Sequence, residues 1–316
     1  MKPTLKMSCL LLVSLGAFAQ KQEPARPKIS GIDHVAFYTT SPEANDKFYE
    51  NLLGLVSPKA DKTSIEPGQT QVFWIGSQWV GYSPAPDAKS INQMDHLAFT
   101  TESIEALRAY LTSEHVPVSN ATSAGDGSKS FAVNDPEGTR IEFVERNRMR
   151  FGTGLGRLGT LGEQAERYDP ISSRIIHAGF IVHDRAAEDH FYKDILGFPL
   201  YWQGGMENDR ADWVAMQVPD GTDWVEYMLN IKPDADQRLT GVMNHVSLGV
   251  KDIKAAQAKL EARGWKANGR EHAQMGRDGK WQLNLYDPDQ TRIELMEFTP
   301  TGKTCCSEFQ GQHPHE

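Results

Sequence analysis

The sequence predicts an α+β chain of four βαβββ modules that close in pairs into two cup-like half-barrel domains. Three internal matches carry that reading. "DHVAFYTTSPEANDKFYENLLGL" (Asp33–Leu55) aligns without gaps on "IHAGFIVHDRAAEDHFYKDILGF" (Ile176–Phe198), 143 residues later. "DPEGTRIEF" (Asp135–Phe143) aligns on "DPDQTRIEL" (Asp287–Leu295), 152 residues later. "MDHLAFTT" (Met94–Thr101) aligns on "MNHVSLGV" (Met243–Val250). Self-similarity of this kind marks a duplicated structural unit.

Each element follows from local pattern. "IDHVAFYT" (Ile32–Thr39) alternates with the period of two expected of a strand. "SPEANDKFYENLLG" (Ser41–Gly54) reads as a helix with Ser41 at the cap, Pro42 in the first turn and Gly54 past the end. Asp184 and Gly197 bracket the third module's helix, and Asp252 and Gly264 the fourth's. The last strands are announced by turns, "NDPEG" before "TRIEFVE" and "YDPDQ" before "TRIELMEF". These elements place the modules at 30–84, 92–147, 173–231 and 242–299. Short joins within each half (Ser83–Gln93 and Ile231–Gly241) favour pairing of modules one with two and three with four. Pairing of one with four and two with three is the alternative that the longer central connection allows. The domains are then 30–147 and 173–299.

The central connection, 148–172, is rich in Gly and Arg and reads as a linker. Its "GLGRLG" (Gly154–Gly159) matches a dinucleotide fingerprint only formally, because no βαβ unit follows. Residues 1–19 have the layout of a secretory signal peptide: Lys2 and Lys6, an apolar run from Leu10 to Phe18, then Ala17-Phe18-Ala19. A secreted or periplasmic protein is the expectation, and no other stretch is long and apolar enough to span a bilayer. Residues 300–316 read as a disordered tail. Its adjacent Cys305 and Cys306 stand closer than the usual disulfide spacing. With 33 Lys and Arg against 42 Asp and Glu the net charge is −9, which argues against a nucleic-acid partner. A small-molecule substrate is expected, with the chain a monomer or homodimer.

The chemistry-bearing residues recur with the modules. His34, His96, His177 and His245 occupy one position in each first strand. Glu142, Glu226 and Glu294 occupy one position in three last strands, where the remaining copy has Gly81. His177 to Glu226 and His245 to Glu294 are both 49 residues apart, and His96 to Glu142 is 46. A single such histidine is more often a core or edge residue, but four at one register, out of ten, point to a shared role. Imidazole and carboxylate meeting on facing strands suit Zn, Ni, Co, Mn or Fe(II). His34 is expected to share an inward face with Ile32 and Ala36.

The "DHVAFYT" and "IHAGFIV" openings, the "FYENLLG" and "FYKDILG" helices and the "DPEGTRIEF" and "DPDQTRIEL" closings resemble the vicinal oxygen chelate superfamily. That group holds glyoxalase I, extradiol dioxygenases, fosfomycin-resistance transferases and methylmalonyl-CoA epimerase. The resemblance implies metal ligands from the first and last strands: His177, Glu226, His245 and Glu294 in one cup, and His34, His96 and Glu142 in the other. It implies a glyoxalase-like lyase or isomerase in which Glu294 shuttles a proton of a metal-bound enediolate, with Glu226 opposite as ligand or second base. An Fe(II)-dependent extradiol dioxygenase at His34, His96 and Glu142 is the alternative. A non-catalytic binding protein of the same superfamily is the third reading.

Overall fold

The computed structural model describes residues 24–57, 71–87, 94–147, 169–269 and 271–316. The expected signal peptide and nearly all of the linker, Gly154–Gly159 included, lie outside them. The described chain builds two curled sheets. The first has strand order β2-β3-β1-β4-β7-β6-β5 and comprises β1 (Ile29–Thr39), β2 (Gln71–Ile75), β3 (Gln78–Pro84), β4 (Met94–Thr101), β5 (Thr122–Ser123), β6 (Lys129–Asn134) and β7 (Arg140–Glu145). The second has order β13-β14-β15-β12-β8-β11-β10-β9. Its strands are β8 (Arg174–Ile181), β9 (Leu200–Gly204), β10 (Trp213–Gln217), β11 (Trp224–Met228), β12 (His245–Val250), β13 (Gln274–Met275), β14 (Trp281–Tyr286) and β15 (Arg292–Glu297).

In both sheets the first strands of two modules lie side by side and antiparallel, β1 with β4 and β8 with β12. Each is flanked on its other edge by the last strand of its own module, running parallel: β3, β7, β11 and β15. Modules therefore pair one with two and three with four, as the short joins favour. This topology brings four first-and-last-strand positions to the middle of each sheet. Every candidate site residue occupies one of them.

The helices sit where their caps place them. Asp184 caps α3 (Arg185–Glu188) by accepting from the Ala187 amide at 3.1 Å, and Asp252 caps α4 (Ile253–Ala262) at 2.8 and 3.0 Å. Ser103 does the same for α2 (Ile104–Ser113). Gly54, Gly197 and Gly264 follow helix ends with φ of +69°, +80° and +91°, a region that an L side chain enters only with strain. Ser41 departs from expectation: its side chain does not cap α1 (Pro42–Asp46). Asp289, 249 residues further along the chain, accepts the Thr40 amide at 3.2 Å and the Thr40 hydroxyl at 2.6 Å instead. Glu137 is its counterpart in the other domain, accepting the Asp184 amide at 2.6 Å and facing His183 Nδ1 at 2.7 Å. The turn of module four thus anchors the chain entering the helix of module one, and the turn of module two the chain entering that of module three. Between the sheets runs one continuous apolar core, in which Phe99 meets Phe198 edge to face at 5.3 Å.

The C-terminal segment corrects the expectation of a disordered tail. It crosses the second sheet as a strap, because main-chain groups of that sheet give it partners along its length. The Cys305 amide donates to the Arg277 carbonyl, the Gln310 amide to the Tyr201 carbonyl, and Gln217 to the Gln312 carbonyl. Phe309 packs on Tyr201 at 4.9 Å and His313 Nδ1 meets the Tyr201 hydroxyl at 2.6 Å. Cys305 and Cys306 are bonded to each other, with Cys306 in the left-handed region at φ +75°.

Candidate metal centres

The second domain brings its four predicted residues to one point. In β8 and β11, His177 pairs in register with Trp224 and Gly179 with Glu226. In β12 and β15, Ser247 lies opposite Glu294. His177 Nε2 stands 3.1 Å from His245 Nε2, 3.1 Å from Glu294 Oε2 and 4.0 Å from Glu226 Oε2. His245 Nε2 stands 3.4 Å from Glu226 Oε2. Both histidines are fully buried. His245 Nδ1 faces the Met243 carbonyl at 2.8 Å, which assigns its proton there and leaves the Nε2 lone pair turned inward. Two inward imidazole nitrogens and the Glu294 carboxylate form a donor set that a divalent cation fits, with Glu226 at its edge.

Electrostatics agree with anionic carboxylates in this cluster. Burial works to raise Glu226 and Glu294, but the histidine hydrogen bonds and nearby positive charge outweigh it. Glu226 is held below its usual range, and Glu294 is held at about 2. For Glu294 the Arg292 guanidinium contributes. Burial, reinforced by Arg292, holds His245 below the usual imidazole value.

The first domain repeats the arrangement with one corner altered. His34, His96 and Glu142 offer buried ligand atoms that lie within 4.8 Å of one another. His34 Nε2 is 3.0 Å from His96 Nε2, and His34 Nδ1 faces Asp33 Oδ1 at 2.6 Å. Gly81 pairs with Ala36 in the register that sets Glu226 opposite Gly179, so it occupies the fourth corner. One expectation for His34 fails. A register irregularity between Ile32 and His34 turns Ile32 into the main core, while Ala36 packs in the cup with Trp74 and Trp79.

Several residues around the centres went unassigned in the sequence. Trp79 stacks on His34 at 3.7 Å and Trp224 on His177 at 4.6 Å. Both lie in near-repeats, "QWVGYS" and "DWVEYM", whose shared tryptophan was the available signal. Arg140 and Arg292 precede the last-strand glutamates by two residues in both "TRIE" copies. Arg140 makes an ion pair with Glu142, whereas Arg292 Nε is buried without a hydrogen-bond partner. Lys280 carried no signal: it is fully buried beside Trp224, at the position where the matching Asp-Gly turn of domain 1 has Ser128.

The chain belongs to the Glyoxalase/Bleomycin resistance protein/Dioxygenase superfamily, whose family model matches residues 31–143 and 174–295. No curated protein matches the chain. Solved structures similar to it include a variant of homoprotocatechuate 2,3-dioxygenase from B. fuscum, with 17% identity, TM-score 0.60, 90% of this chain and 77% of that one covered. The 2,3-dioxygenase LapB from Pseudomonas sp. KL28 gives 15% identity and TM-score 0.60 over 91% and 93% of the two chains. Homoprotocatechuate 2,3-dioxygenase from Arthrobacter globiformis gives 17% identity and TM-score 0.59 over 89% and 84%. At these identities the likeness is one of fold. No helix among the described residues is long and apolar enough to cross a membrane.

Proposed function

We propose that the protein is a metal-dependent oxygenase of the extradiol ring-cleaving type, with its centre at His177, His245 and Glu294. The observation that carries this is the buried two-histidine, one-carboxylate cluster at the base of an aromatic cup. When bound, a divalent metal supplies Lewis acidity to two adjacent substrate oxygens and, as Fe(II), access to dioxygen chemistry. The chain's own residues do the rest. Trp224 braces the His177 ring, and the Met243 carbonyl fixes the proton of His245. With Trp224, the side chains of Tyr201, Trp202, Met296 and Phe298 form a buried apolar cluster that keeps water from this side of the centre. Glu226, beside the triad, is placed to accept the proton that a catechol hydroxyl loses.

Several similar structures are 2,3-dioxygenases, one of them in complex with 3,4-dihydroxyphenylacetate, and this supports the reading. The test is anaerobic loading with Fe(II), followed by 3,4-dihydroxyphenylacetate and air. Oxygen uptake matched to the appearance of a visible ring-fission product is expected. Glu226 favours one second reading, the glyoxalase-like lyase, because a fourth carboxylate can shuttle a proton between adjacent carbons. No oxygen uptake with Fe(II), together with isomerisation of a hemithioacetal, would replace the oxygenase by that lyase.

A further inference from the structure

Behind its donor set, domain 1 carries a buried charge relay that domain 2 lacks. The two first strands share one irregularity: Asp33 falls between the paired residues Ile32 and His34 in β1, and Ile176 between Ile175 and His177 in β8. An unpaired strand residue of this kind re-aims its side chain. In domain 1 the result is a contact with the histidine that follows: Asp33 is buried, and its Oδ1 lies 2.6 Å from His34 Nδ1. The Arg146 guanidinium grips the same carboxylate through Nε, at 2.6 Å from Oδ2, and through a second nitrogen, and the Thr100 hydroxyl donates to Oδ2 at 3.3 Å. Paired with a cation, the carboxylate is an acceptor, so His34 carries its proton on Nδ1 and presents the Nε2 lone pair to the cluster with His96 and Glu142.

The repeats show what stands at these positions in domain 2. Asp33 aligns on Ile176, Thr100 on Gly249 and, three residues past the end of the "DPEGTRIEF" match, Arg146 on Phe298. The domain 2 residues also meet one another: Ile176 and Phe298 share a buried apolar cluster, and a Cβ on Gly249 would run into both. An ion pair with its hydroxyl in one domain is thus an apolar contact in the other. The histidines follow suit, since His177 Nδ1 is buried without a hydrogen-bond partner where His34 Nδ1 is held.

We infer that Asp33 and Arg146 are positioning residues of the domain 1 centre, which together set the tautomer and orientation of His34 for a divalent cation. Asp33 fixes the proton on Nδ1 and so turns Nε2 inward as a donor. Arg146 holds Asp33 against that nitrogen and keeps its charge from being buried alone. The inference concerns domain 1 and stands apart from the oxygenase reading of domain 2.

The experiment reads metal binding and the histidine tautomer rather than turnover. A His245→Ala background leaves domain 1 as the complete donor set, and its Zn(II) affinity is measured by competition with a chelating dye. Asp33→Ile, Thr100→Gly and Arg146→Phe together write the domain 2 residues into domain 1. That exchange should weaken Zn(II) binding by about 10- to 100-fold, the scale of a lost outer-shell partner. The melting temperature of the metal-free chain should stay within a few degrees, because an apolar contact replaces the ion pair and no charge is left unpaired. In the same metal-free chains, histidine 15N NMR should show His34 protonated at Nδ1 before the exchange and divided between its two nitrogens after it. Asp33→Leu with Arg146→Met, closer in size to the native pair, is the second form if the exchanged chain does not fold. A His245→Ala chain that takes up no Zn(II), or an exchanged chain that matches it in affinity or in the His34 tautomer, overturns the inference.

Discussion

The two cups share one plan and differ at three points, and the differences assign them unequal chemistry. In domain 1 the fourth corner is Gly81, the glutamate ligand position is held by Arg140, and the apolar lining is the small set of Ala36, Val72, Trp74 and Trp79. In domain 2 the fourth corner is Glu226, Arg292 leaves Glu294 to the histidines, and the larger lining is roofed by Phe309 from the strap. Both donor sets fit a divalent ion. Domain 2 adds to that a larger buried aromatic cluster with Lys280 beside Trp224.

The largest expected effect comes from removing one donor in each cup. His245→Ala should abolish turnover and lose one bound metal per chain, exceeding the roughly 10- to 100-fold loss typical of outer-shell changes. His96→Ala should lose metal from domain 1 and leave most turnover intact. Metal analysis and oxygen uptake on both variants check this. Equal loss of turnover from the two substitutions would sink the unequal assignment.

Exchanging the fourth corner is the next test. Glu226→Gly gives domain 2 the corner of domain 1, and should lower ring cleavage by about 100- to 10,000-fold, the scale of one lost acid–base group. Under the lyase reading the same change removes a base and a ligand together, and isomerisation should vanish. A rate with catechols that is unaltered in Glu226→Gly would show that the carboxylate takes no proton.

A smaller effect is expected at Arg140. Its guanidinium competes with a cation for Glu142, so Arg140→Gln should tighten metal binding in domain 1 by up to about 10-fold, in line with a charge-assisted pair that is half exposed on one side. Competition with a chelating dye measures this. Arg292→Gln should tighten domain 2 less, because that guanidinium acts on Glu294 and His245 only through space rather than as a direct ion pair.

What could be read in the sequence follows the reach of each interaction. Module repeats, helix caps such as Asp184 and Asp252, and the histidine and glutamate register are local or periodic, and all appear in the fold. The Asp289 contact with Thr40 and the Glu137 contact with Asp184 join residues with no shared pattern, so sequence pointed to Ser41 as the cap instead. The strap was taken for a loose tail because "TGKTCCSEFQGQHPHE" has no period. Its order comes from carbonyls and aromatic faces offered by β9 and β10. Lys280 was invisible for the same reason: its burial depends on Tyr201, Trp224 and Phe309, all far away in the chain.

The smallest effect concerns the junction between the domains, where the two halves again differ. Glu188 is fully buried against the Glu137 amide at 3.2 Å, and burial, with Asp135 beside it, raises its carboxyl to about 8. Asn45, the aligned residue of module one, is likewise buried but uncharged, and donates to the Thr39 hydroxyl at 2.7 Å. A carboxyl raised in the folded state holds its proton there after the unfolded chain has released it. Its stabilising share is thus complete below the ordinary glutamate value and is lost as pH climbs from there through about 8. Thermal melting of the wild-type chain should fall across that window, and Glu188→Gln, which cannot ionise, should flatten the slope while keeping the low-pH melting point within a few degrees. A Glu188→Gln chain with the wild-type slope would move the pH response elsewhere, with Asp287, raised to about 7 by burial at the opposite junction, the next group to replace.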